Sequence, residues 1–265
     1  MPFHNSNVCG LVTLCESFDK LRFFYTPIPL VSVKVNVKVV NFTAHVEITQ
    51  EYVNKEVNPI ECIYFFPVEE EAAVVEFTAE LEGRKIKTEV KEKEAARQEY
   101  NEAVQNRQTA FLLEQTKADI FEIRVGQLSP GSGCKVQLCY LSELPVEEGR
   151  VKLTIPTTVA PRYTPLTDGS PEASKIASIK HDFKSPAQME LELTALMQTE
   201  ISSITSPSHL LTSPTAMKQI GTYFQAKVMF SGLTSNMDRD MIVYVTTEEP
   251  NQPKIMIEKM TMAPW

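Results

Sequence analysis

Nine residues near the start of the chain alternate without a break: Val31-Ser32-Val33-Lys34-Val35-Asn36-Val37-Lys38-Val39. A repeat of two puts every valine on one face of an extended strand and every polar side chain on the other. A helix cannot sort them this way. A slip of one residue would turn all the valines to water, so burial fixes the register. Phe42, Ala44, Val46 and Ile48 keep the period after Asn41. Such a chain needs a second apolar layer to close on.

More strand patterns follow. Ile60-Glu61-Cys62-Ile63-Tyr64-Phe65-Phe66 is apolar almost throughout, which predicts a strand covered on both faces. Val75, Phe77, Ala79 and Leu81 alternate, Glu82-Gly83 supplies a turn, and Ile86, Thr88 and Val90 return. Strand signals continue over 110–114, at Phe121, Ile123 and Val125, at Val136, Leu138 and Tyr140, and at Val151, Leu153 and Ile155. Ser129-Pro130-Gly131-Ser132-Gly133 reads as a hairpin turn. Short strands at this spacing predict an antiparallel β-sandwich, because a parallel sheet would need a helix at each crossover.

The period changes once. From Lys91 to Gln108 the chain is rich in Glu, Lys, Ala, Gln and Arg, and Ala96, Tyr100, Ala103 and Val104 fall on one helical stripe. This predicts an amphipathic helix laid over a sheet. Residues 156–187 are strewn with Pro, Ser and Thr and cannot run through a sheet interior. Strand patterns return at Met189–Leu193, at Phe224, Ala226, Val228 and Phe230, and at Met241–Val245. The reading is a mainly β chain. It has a sandwich domain over 1–165 with one helix near 91–108, and a Pro/Ser-rich connector over 166–187. A smaller β-rich unit over 188–250 and a tail over 251–265 follow.

Charge excludes one class of partner. The 265 residues carry a net charge of −8, with most of the acidity in the first 150 residues. A nucleic-acid binder needs the opposite sign. No apolar run approaches the ~20 residues that span a bilayer. The start lacks the basic and apolar regions of a secretory leader. The cysteines Cys9, Cys15, Cys62, Cys134 and Cys139 are odd in number and fit no disulfide framework. The expected setting is therefore reducing, cytoplasmic or nuclear, with free thiols and no membrane insertion. Asn41-Phe42-Thr43 spells a glycosylation sequon, read here as chance within a strand.

Reactive chemistry finds little support in the sequence. The histidines are His4, His45, His181 and His209. Folding is needed to bring a base to a thiol, and Cys62 with His45 is the pair that a thiol hydrolase would use. Against this, Cys62 reads as a small buried hydrophobe and His45 as a polar surface residue. Cys134 and Cys139 are five apart on a strand, face opposite sides and cannot chelate together. Gly131-Ser132-Gly133 lacks the basic residue and following helix of a phosphate loop. Glu69-Glu70-Glu71 reads as a solvated loop. No catalytic residue, cofactor or metal site is expected.

The assembled landmarks resemble a known family. Tyr64-Phe65-Phe66-Pro67, then Ala72-Ala73-Val74 and Phe77, look like the entry to a VIT (vault protein inter-alpha-trypsin) domain. Leu81-Glu82-Gly83-Arg84, Val90-Lys91-Glu92-Lys93-Glu94-Ala95, Tyr100, Ala103, Phe111-Leu112-Leu113-Glu114, Phe121, Val125-Gly126, Pro130-Gly131 and Tyr140 follow in order. Ile155 to Tyr163 is similar to the family's exit. The resemblance covers about residues 1–165 and implies a β-sandwich with one helix. In this family the module usually precedes a von Willebrand A domain with a metal site written Asp-x-Ser-x-Ser. The nearest approach here is Asp168-Gly169-Ser170-Pro171-Glu172, with Glu in place of the second Ser. The chain thus looks like a short form or fragment ending before that domain.

These readings point to a non-catalytic interaction or scaffold module for a protein partner. Its candidate surface is the polar helix face of Lys93, Arg97 and Asn101, or an open sheet edge. The competing readings are a spacer with no partner of its own and the thiol hydrolase.

Overall fold

A computed structural model describes residues 10–16, 23–67, 72–89, 113–117, 120–156, 187–215, 217–234 and 239–248. Among these residues strands predominate and none lies in an α-helix. The helix expected near 91–108 falls outside the described residues, as do almost the whole connector and the tail.

Three sheets share one core. The largest is built on β3 (Leu30–Val40), β4 (Thr43–Val53), β6 (Ala72–Leu81), β7 (Arg84–Glu89), β10 (Gly133–Glu143), β13 (Gln188–Met197), β15 (Lys218–Ile220) and β16 (Tyr223–Leu233). Their order is β15-β16-β13-β3-β4-β10-β6-β7. A second sheet takes β1 (Gly10–Glu16), β2 (Phe23–Pro27), β5 (Ile60–Pro67), β8 (Leu113–Lys117) and β9 (Ile120–Leu128), ordered β2-β1-β5-β9-β8. A third takes β11 (Val146–Glu147), β12 (Arg150–Ile155), β14 (Ile201–Thr205) and β17 (Met241–Thr247), ordered β11-β12-β17-β14.

The alternation of β3 and β4 does what the sequence requires. Val33, Val35, Val37 and Val39 are buried, as are Ala44, Val46 and Ile48. They meet Leu11, Cys62, Tyr64 and Ile123 from the second sheet and Val151, Leu153, Met241 and Val243 from the third. Tyr64 stacks obliquely on Phe77 at 5.3 Å between ring centres. Its hydroxyl donates to Gln50 Oε1 at 2.8 Å, so a wholly buried amide is satisfied across the sheets.

β5 is covered on both faces, as its continuous apolar run predicts. Cys62, Tyr64 and Phe66 point into the main core. Ile63 and Phe65 point the other way and join Val12 in a second buried cluster with Tyr25 against it.

Turns obey local chemistry where they link neighbours. Leu81 and Arg84 pair across Glu82 and Gly83, which take φ of 50° and 75°. Such a turn favours glycine because left-handed backbone crowds a Cβ. The 129–133 turn is a correction. It is a tight turn, with the Ser132 N–H donating to Ser129 O at 3.1 Å, but it joins β9 to β10 in different sheets. It is a crossing between layers, not a hairpin. Asn54 holds it: its N–H donates to Ser132 O, its O accepts from Gly131 N–H, and its side chain donates to Leu128 O.

The residues 188–248 do not stack apart from the front strands. β13 pairs with β3 in parallel, from Gln188 against Ser32 to Leu196 against Val40. β17 pairs with β12 from Met241 against Ile155 to Thr246 against Arg150. Asn41, at φ 52° in the β3–β4 turn, anchors the end of β13: its N–H donates to Leu196 O and its Oδ1 accepts from Gln198 N–H.

Candidate functional site

The valine side of β3 faces the core, so the polar side of the large sheet faces out. On β4 that side carries His45, Glu47, Thr49 and Glu51. On β10 it carries Lys135, Gln137, Cys139 and Leu141. The antiparallel register sets Cys139 opposite Glu47 and Leu141 opposite His45. On the far side of β10, Cys139 faces Glu76 and Leu141 faces Ala73. A β-bulge lies between the Cys139–Glu76 and Tyr140–Val74 pairs, and Val75 is its extra residue.

The His45 Nε2 lies 3.0 Å from Cys139 Sγ, and its Nδ1 lies 4.0 Å from Glu47 Oε1. Lys87 Nζ holds Glu76 at 3.2 Å. The electrostatics oppose a nucleophile. Burial pushes the Cys139 thiol up from its ordinary value, and the carboxylates of Glu47 and Glu76 push it further. Among the described residues no group of three or more His, Cys, Asp or Glu is placed to hold a metal ion. Around this cluster Val75 is 46% exposed and Leu141 40% exposed.

The pair anticipated from the sequence is not assembled. Cys62 lies on β5 with its thiol in the core, whereas His45 lies on the outer side of β4. Alternation along the two strands puts the groups on opposite sides of the sandwich wall. Burial pushes the Cys62 thiol up to about 12, with the charges of Cys134 and Glu61 adding to it. Burial likewise pushes Cys134 up to about 12. Cys134 and Cys139 do face opposite sides of β10: the first is buried, the second half-exposed.

Lys93, Arg97 and Asn101 lie outside the described residues, as does Asp168. Sequence reasoning missed the setting of His209, which is buried and meets Phe230 edge-on at 5.7 Å. It also missed an ion cluster on the third sheet. There Lys152 Nζ holds Glu147 Oε1 at 2.7 Å, the Tyr244 hydroxyl donates to Glu147 Oε2 at 3.1 Å, and the Arg150 guanidinium covers the Tyr244 ring at 4.2 Å. The hydrogen bonds from Lys152 and Tyr244 hold the Glu147 carboxyl below its ordinary range. A cavity of about 470 Å³ opens between the end of β10 and β12, lined in part by Tyr140, Leu144, Lys152 and Thr154. Among the described residues no helix is long and apolar enough to cross a membrane.

Three relatives overlap these strands. The von Willebrand factor A domain-containing protein 5A of Homo sapiens is 39% identical over 158 residues, 58% of this chain and 19% of that protein. The protein of the same name from Rattus norvegicus is 30% identical over 244 residues, 88% of this chain and 28% of that protein. Protein mono-ADP-ribosyltransferase PARP4 of Mus musculus is 42% identical over 135 residues, 51% of this chain and 7% of that protein. The chain therefore spans less than a third of the length of each. From the first residue of β3 to Tyr140 on β10, residues 30–140, the chain matches the family model of the Vault protein inter-alpha-trypsin domain, the family that its sequence landmarks resemble.

Proposed function

We propose that this chain is a non-catalytic protein-interaction or scaffold module that works in the cytoplasm or nucleus. The observation that carries this reading is the outer face of the large sheet within the matched stretch. Among the described residues that face mixes charges of both signs. It also keeps Val75 and Leu141 in water beside the His45–Cys139 pair. Exposed apolar side chains rimmed by charge are what a protein partner covers, whereas a small molecule needs a concave site. The names of the relatives place the same module in longer proteins with a von Willebrand A domain, where a docking face suits a scaffold role.

The test is capture of crosslinked partners by the wild-type chain and by a Val75→Asp/Leu141→Asp double variant. Both positions are exposed, so the fold tolerates the change, which circular dichroism checks. Wild type retains a reproducible partner set and the variant loses it. Equal capture by both, or none by either, removes this face from consideration.

A further inference from the structure

Cys139 Sγ and His45 Nε2, 3.0 Å apart, are turned toward one another on the outer face of the large sheet. One belongs to β10 and the other to β4, so the pairing of neighbouring strands fixes their separation. The second ring nitrogen of His45, Nδ1, lies 4.0 Å from Glu47 Oε1. That carboxylate favours the imidazole proton on Nδ1, which leaves the Nε2 lone pair aimed at sulfur. A histidine with one nitrogen on a soft donor and the other on a carboxylate has the arrangement of a metal ligand with its outer support.

The charges around the sulfur suit a cation. Cys139 is set across the sheet from Glu47 on one flank and from Glu76 on the other. After burial, their carboxylates help to keep the proton on the thiol, and the same attraction acts on any cation that replaces it. Lys87 offsets Glu76 at 3.2 Å, and Lys38 lies opposite His45. With the thiol ionised, three anions stand against two ammonium groups, so a single positive charge balances the set. The His45 side chain is 39% exposed and Cys139 is half-exposed, which gives an ion a way in. Val75 and Leu141 flank the pair and limit the water beside it.

We propose that Cys139 and His45 form a two-coordinate site for a soft univalent ion, copper(I). The number of ligands selects it. Zinc takes four donors and calcium six or more, whereas only this thiol and this imidazole converge, with no group of three among the described residues. Thiolate and imidazole suit copper(I), which accepts two ligands in line. Binding exchanges one cation for another. The Sγ–H bond breaks, an Sγ–copper bond forms, Nε2 gives its lone pair to the metal, and the proton leaves to water. No electron moves. Metal bonds of roughly 2.3 Å to sulfur and 2.0 Å to nitrogen, set in line, part the two atoms by about 1 Å more than their hydrogen bond does. Both side chains reach the surface, where small rotations open that distance.

The experiment uses the full chain carrying Cys9→Ser and Cys15→Ser, so that the thiols left are Cys139 and the buried Cys62 and Cys134. It is titrated with copper(I) without oxygen against a coloured copper(I) chelator, and X-ray absorption at the copper edge reads the ligands. One ion per chain on one sulfur and one nitrogen is expected. Cys139→Ser should abolish binding. Glu47→Gln keeps both donors and should weaken it about tenfold, and His45→Asn should weaken it further. Binding that survives Cys139→Ser overturns the proposal, as does a copper spectrum without nitrogen or an affinity that His45→Asn leaves unchanged. An affinity unchanged by Glu47→Gln overturns the part given to that carboxylate. Circular dichroism checks each fold. Should a variant fail to fold, the parent chain is alkylated with and without copper(I). Slowed labelling of Cys139 is then expected, and equal labelling overturns the site. No partner protein enters the assay, so its result is independent of whether this face docks one.

Discussion

One strand, β10, shows two environments five residues apart. Cys134 points into the space between the sheets and Cys139 points out of it. The inner thiol meets hydrocarbon and its proton is held by desolvation alone. The outer thiol meets a histidine and two carboxylates. The strand geometry is the same on both sides. What differs is the medium: the inner face contributes cohesion, while the outer face carries charged groups and exposed Val75 and Leu141.

Thiol chemistry is the sharpest way to break this comparison. At pH 8, Cys62 and Cys134, pushed up to about 12 from an ordinary 9.0, should react roughly a thousandfold slower than a free thiol even before access is considered. Timed alkylation read by mass spectrometry should label both only on unfolding. Fast labelling of either in the native protein would mean that the interior is not sealed. The next largest effect is expected from Phe77→Ala. Phe77 is fully buried against Tyr64, and its loss should cost about 3–5 kcal/mol in urea unfolding. The exposed Leu141→Ala should change stability by less than about 0.5 kcal/mol.

Tyr64→Phe comes next. It removes the hydroxyl that serves buried Gln50, and the expected cost is about 1–3 kcal/mol with the denaturant slope unchanged. The smallest effect belongs to the solvated Glu147–Lys152 pair. The folded carboxyl of Glu147 sits below its unfolded value, so its contribution is present above the unfolded pKa and is lost as pH falls through the folded one. Lys152 is raised by the same hydrogen bond, so its part is present below the ordinary lysine range and fades as pH climbs past the folded value. A Lys152→Met variant should therefore flatten the acid limb of a stability–pH curve. A curve that overlays wild type would show the pair to be inert.

The sequence spoke clearly wherever burial alone selects residues. Val33, Val35, Val37 and Val39 of β3, the even positions of β4 and the doubly covered run of β5 lie where the hydrophobic period sends them, whereas Val31, at the register shift between Leu30 and Ser32, and Phe42, in the β3–β4 turn, are exposed. It also signalled Glu82-Gly83, because a two-residue turn has its own chemistry. It was silent on which strand lies beside which. The parallel pairing of β13 with β3 joins residues about 150 positions apart, and no periodicity encodes a neighbour. The same silence hid the candidate site. His45 meets Cys139 because antiparallel register places 45 opposite 141 and 139 opposite 47. From the sequence alone, Cys62 was as good a partner. Ser129 to Gly133 misled for a related reason, since a turn motif gives the bend and not the layer to which the chain returns. Gly10–Glu16 and Phe23–Pro27 were passed over as strands because their apolar residues are too few or too crowded to show a period.

The parallel pairing also sets an order in time. A ribosome making roughly 5–20 residues per second delivers β13 about 8–30 seconds after β3. Through that interval one long flank of the valine strand has no neighbour, and its row of backbone groups is open to any extended segment nearby. The newborn chain is therefore at its most vulnerable to mispairing before Gln188–Met197 arrives, and the residues of that strand are what closes the flank.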